Sequence, residues 1–127
     1  MDNPRQPGNN LGIMYCAHRK YTLGDRPLYT EVYASWQDAA KQLSKMYDAV
    51  CLPLYIGEQY GLSIDTHPFP NRWDSGQVGF IVVSKYVVTR HFGTIYCTKK
   101  LIAKAKNILL AEVAEYNTYL QENGNAN

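Results

Sequence analysis

The run VGFIVVS, Val78 to Ser84, limits the folds open to this chain. Its apolar residues follow one another without the alternation shown by a strand with one wet face. Such a run is expected of a strand buried on both faces, and so of the centre of a sheet. The rest of the chain must then supply apolar elements to cover it.

Helices of the right pattern are present. Ser35 opens a capping-box-like S-x-x-D with Asp38, after which Trp36, Ala39, Ala40, Leu43, Met46 and Tyr47 recur at helical spacing. This predicts a helix of about three to four turns. Ser84 can cap a short helix through Tyr86, Val87 and Arg90 that Gly93 ends, and Thr98 a long one that reaches Leu120 and is closed by Gly124. Ile102, Leu109, Val113, Tyr116 and Leu120 fall on one narrow face of the long helix, which predicts packing on the sheet.

Further strands are expected at GIMYCAH (12–18), VCLPLYI (50–56) and LSIDT (62–66), with turns at Gly24-Asp25 and Gly61. Pro53 cannot donate to a ladder, so its strand should be an edge or carry a bulge. The first ten residues hold two prolines, a glycine and three asparagines and read as a flexible tail. Residues 11–127 then form one α+β domain, a small mostly antiparallel sheet covered by helices that include a long C-terminal one. A chain of 127 residues can bury such a core without disulfide or metal support.

Several function classes are disfavoured. Cys16, Cys51 and Cys97 are far apart and form no CxxC pair, so neither a disulfide framework nor a four-cysteine zinc site is expected, and reduced thiols in a cytoplasm fit best. No apolar run approaches the roughly 18 to 20 residues needed to span a bilayer, and the opening residues are polar, so neither export nor a membrane partner is expected. The net charge of +2 means that any nucleic-acid-binding surface must be local. Neither GxxxxGK[ST] nor GxGxxG occurs, and no cofactor is expected.

No catalytic residue is assigned. Asp74-Ser75-Gly76 with His67 only weakly suggests serine chemistry, since the G-x-S-x-G elbow is absent, and the three residues are better read as a turn bonded to its own backbone. Cys16 and His18 lie two apart and with Cys51, His67, His91 or Cys97 would make a metal site, though no second ligand pair has finger-like spacing; no metal is expected.

Recognition is better signalled. HRKYTLGDR (18–26) and NRWDSG (71–76) each place arginine beside an aromatic residue, the types that dominate binding hot spots. The candidate partner-binding residues are Arg19, Lys20, Tyr21, Arg72, Trp73 and Asp74, which form one surface if both loops lie at one end of the sheet. The alternative is an internal Arg72–Asp74 or Arg19–Asp25 ion pair with Trp73 plugging the core. Arg90, Lys99, Lys100, Lys104 and Lys106 make a second candidate, a basic patch for phosphates or carboxylates; its alternative is a solvated helix face. Eleven tyrosines against three phenylalanines suit a binding surface or half-buried core positions.

CAHRKYTLGD (16–25), LPLYI (52–56) and especially RWDSGQVGFIVVSK (72–85) resemble a family of small proteins carried by bacteriophages and mobile elements, over about residues 12 to 121. In that family an acid and a histidine follow the LPLY strand before a glycine. The matching Glu58-Gln59-Tyr60-Gly61 keeps the acid but has Gln59 for the histidine, which argues against chemistry by that histidine. The resemblance implies a protein of the host bacterial cytoplasm that binds and inhibits a bacterial defence complex, above all an anti-CRISPR that occludes a CRISPR effector. The alternatives are a nucleic-acid-binding accessory protein, or a small hydrolase or modifying enzyme centred on Asp74, Ser75 and His67. The resemblance leaves the oligomeric state open.

Overall fold

The VGFIVVS run lies in β5 (Ser75–Ser84), the middle strand of a five-stranded sheet. The computed structural model describes residues 2–6, 8–58, 61–70 and 75–123. The other strands are β1 (Ile13–Cys16), β2 (Arg26–Pro27), β3 (Ala49–Gly57) and β4 (Ser63–Asp65), in the order β2-β1-β5-β3-β4. Among the described residues only the β1–β2 pair is parallel. With α1 (Trp36–Tyr47), α2 (Lys85–Phe92) and α3 (Lys99–Asn123), the chain is an α+β domain with a mostly antiparallel sheet and a long C-terminal helix.

Both faces of β5 are covered. Ile81 and Val83 join Met14, Leu54, Leu109 and Val113 beneath α3. Phe80 and Val82 join Leu28, Ala39 and Leu43 beneath α1. Each of these side chains other than Ala39 contributes about 1.5 to 3 kcal/mol through burial. On α1 the buried stripe stops at Leu43: Met46 and Tyr47 continue it but are 66% and 45% exposed, in the last turn before the chain re-enters the sheet as β3.

Local signals produce the expected ends. The Ser35 hydroxyl accepts from Asp38 N–H at 3.0 Å while the Asp38 carboxylate accepts from Ala34 N–H at 2.9 Å. Ser84 and Thr98 cap α2 and α3 by accepting from the N–H groups of Val87 and Leu101. Gly93 ends α2 at φ 67°, in the left-handed region. Gly124 lies outside the described residues.

Pro53 meets the first of the two alternatives attached to it, an edge. β4 pairs only with Tyr55 to Gly57, so β3 is an edge at Pro53. The bulge lies in the facing strand instead: Leu54 faces Gly79 and Tyr55 faces Gln77, which leaves Val78 of β5 as the extra residue.

The opening residues differ from the flexible tail expected. Arg5 is buried, and its Nε–H and Nη2–H groups donate to the two Asp25 carboxylate oxygens at 3.0 and 2.6 Å. Nη1–H donates to Glu112 Oε1 at 3.0 Å, and Nη2–H also to the Gly12 carbonyl at 2.8 Å. Glu112 in turn accepts from the N–H groups of Leu11 and Gly12, and Asp25 from that of Met14. Burial alone would lower the Arg5 pKa, but the hydrogen bonds and charges of Asp25 and Glu112 leave it raised. The segment expected to have nothing to pack thus supplies the cation that two carboxylates require.

Candidate functional site

The pairing of Cys16 with Gly79 and of Gly57 with Ser75 brings the ends of β1 and β3 and the start of β5 to the same end of the sheet. A cleft of about 700 Å³ opens there, lined from the end of β1 and the loop after it by Cys16 to Arg19 and by Tyr21, from the end of β2 and the segment after it by Pro27 to Glu31, and from α1 by Trp36. β3 adds Ile56 and the following Glu58, and β5 adds Gly76 to Val78.

Of the sequence-derived residues, Arg19 and Tyr21 line this cleft. Lys20 is exposed outside the lining, and its N–H donates to His18 Nδ1 at 3.0 Å. Asp25 is engaged by Arg5, so the internal Arg19–Asp25 pair gives way to an Arg5–Asp25 pair and Arg19 is exposed. Arg72, Trp73 and Asp74 lie outside the described residues, as does Gln59. Gly76 and Gln77, which follow that segment in the chain, do line the cleft.

His18 and Glu58 also line the cleft, and neither is among the candidate partner-binding residues named from the sequence. His18 Nδ1 accepts from the N–H groups of Lys20 and Tyr21, so the proton of the neutral ring sits on Nε2. Nε2 faces Glu58 Oε2 at 3.9 Å, too long for a hydrogen bond. The Tyr21 ring stands 5.0 Å from the imidazole. The pair presents one donor and one acceptor, each largely shielded from water, to whatever enters the cleft. No local pattern joins residues forty positions apart; the sequence marks His18 in the HRKY loop and Glu58 in the Glu58-Gln59-Tyr60-Gly61 resemblance, but not their meeting.

A thiol, an imidazole and a carboxylate in one cleft suggest nucleophilic catalysis, but the thiol does not fit. Burial, aided by the charge of Asp25, pushes Cys16 up to about 12, so it stays protonated at neutral pH. Burial also raises Cys51, to about 11. Among the described residues no three His, Cys, Asp or Glu side chains come together to hold a metal ion. His67 is exposed with Nδ1 3.9 Å from Asp65, whereas Asp74 and the Ser75 side chain lie outside the described residues.

The residues of the basic patch are all exposed. At about 100° per residue, Lys99 and Lys106 fall on one flank of the buried α3 stripe and Lys100 and Lys104 on the outer face towards the other. Ile108, one turn after Lys104, lines a cleft with Arg90 and His91, which puts Arg90 on the Lys104 side. The expected single patch is therefore divided. Among the described residues no helix is long and apolar enough to cross a membrane. Compared with protein-family models, curated proteins and solved structures, the chain matches none.

Proposed function

We propose that this protein works by stoichiometric binding in a bacterial host cytoplasm, covering a working surface of a defence complex, with a CRISPR effector as the leading target. The recognition surface in this reading is the cleft where β5 begins. The observation that carries it is the convergence of Arg19 and Tyr21 with Gly76 and Gln77, the residues that continue the Arg72-Trp73-Asp74 segment. Arginine beside aromatic rings in a partly desolvated hollow is the composition of binding hot spots. The fixed donor and acceptor of His18 and Glu58 and the protonated Cys16 thiol suit recognition better than thiol chemistry. The defence complex as partner rests on the family resemblance of the HRKYTLGD and RWDSGQVGFI strings.

The experiment is the plating of a CRISPR-targeted phage on cells that express the protein. The wild type should restore plating by orders of magnitude, and Arg19→Ala/Tyr21→Ala should abolish that protection while remaining folded. Absence of protection across a panel of CRISPR and restriction systems, or full protection by the double variant, would sink the reading.

A further inference from the structure

We propose that the corner between α2 and α3 binds single-stranded nucleic acid, with phosphates held by Arg90, Lys100 and Lys104 and bases stacked on Tyr86 and Tyr96. From Lys85 to Ala111 the chain has six lysines and arginines and no acid, whereas the rest holds all eleven acids against seven cations. The positive charge is concentrated at this corner. Lys85 is paired with Asp48 at 3.2 Å; the other five cations have no ion pair among the described residues. Unpaired exposed cations are suited to neutralise phosphates and so release the counterions condensed on a nucleic acid.

The same corner exposes aromatic rings. Tyr86 is 67% and Tyr96 78% exposed, and α2 is buried through Val88, opposite Tyr86 and Arg90. The Arg90 guanidinium lies 5.8 Å from the Tyr86 ring centroid and donates to its hydroxyl at 3.2 Å, a paired cation and ring held one helical turn apart. Every base offers a π-face to such a ring, but only when it is unpaired, which favours a single strand over a duplex. An anionic bilayer would attract the same charges, yet the corner offers one strongly exposed large aliphatic side chain, Ile95, a small area for interfacial insertion. This surface lies where β5 ends, away from the cleft where it begins, so it stands or falls separately from the cleft reading.

The test is fluorescence anisotropy with a labelled mixed-sequence oligonucleotide of about 20 nucleotides, from about 50 to 200 mM salt. The duplex of the same sequence and phosphatidylserine-containing vesicles run beside it. Binding to the strand should weaken steeply with salt, and Lys100→Gln/Lys104→Gln should reduce the log-log slope by about 1.4, or about 0.7 for each phosphate no longer neutralised. Tyr96→Ala should weaken binding roughly 5-fold to 100-fold, and Tyr96→Phe should leave it unchanged. All three variants alter exposed residues, and a thermal melt checks their fold. No binding by the folded wild type, binding indifferent to the lysine and Tyr96→Ala variants, or tighter binding to duplex or vesicles would overturn the proposal.

Discussion

Arg5→Ala leaves Glu112 buried and Asp25 partly buried without the guanidinium that compensates both, and removing one partner of such a network costs about 3 to 5 kcal/mol. Arg5→Lys should recover part of this, since an ammonium keeps the charge but lacks the planar fork. Denaturant midpoints of the three proteins check both expectations. None of this was legible in the sequence, because the partners of Arg5 lie 20 and 107 residues away and an arginine among prolines and asparagines looks like loop material. A second effect at this scale concerns pH. Cys16 holds its proton more tightly in the folded chain, where its value is about 12, than at its ordinary 9.0, so the linked stability is present below about pH 9 and is lost as pH rises towards 12. Cys51, raised to about 11, adds to the same alkaline loss. Stability measured across this window should fall for the wild type and fall less for a Cys16→Ala variant. At neutral pH a thiol reagent should label Cys16 only as fast as the protein opens.

At the scale of elements, the β1–β5 pairing depends on Gly79. A Cβ there would collide with the Tyr15 carbonyl oxygen, and the backbone of both residues is held in paired strands. Gly79→Ala should therefore cost about 3 kcal/mol or more, the upper range for overpacking, and thermal unfolding with amide exchange in β1 would show it. Ser35→Ala should cost only about 1 kcal/mol, the usual worth of a helix cap, read as a shift in the unfolding midpoint. These elements were legible because their causes are local. A cap acts over three residues, an apolar face repeats every turn, and an unbroken apolar run needs cover on both sides. The bulge at Val78 and the arrest of the α1 stripe at Leu43 were not legible, since both depend on how β3 meets its neighbours. The cleft was half legible: the HRKY loop stood out by composition, while Glu58 enters only because β3 ends beside β1's continuation.

At the scale of the whole molecule, the two candidate surfaces lie at opposite ends of β5 and differ in charge. The cleft carries His18 and Arg19 with Glu31 and Glu58, a mixed set suited to a shaped partner. The α2–α3 segment from Lys85 to Ala111 holds six cations and no acid and is suited to a polyanion. An inhibitor that seats the cleft on a nucleoprotein could use the corner on the nucleic acid beside it, and binding at either surface would raise the effective concentration at the other. Variants at the two ends should then lower affinity by different routes, the cleft variant at all salt concentrations and the corner variant chiefly at low salt. The most direct measurement is affinity capture from a defence-competent bacterium by the tagged wild type, Arg19→Ala/Tyr21→Ala and Lys100→Gln/Lys104→Gln, each shown to be folded. The account predicts that the wild type and the corner variant retain the same defence-complex subunit at moderate salt and that the cleft variant loses it. Retention of that subunit by the cleft variant would contradict the cleft as the recognition surface.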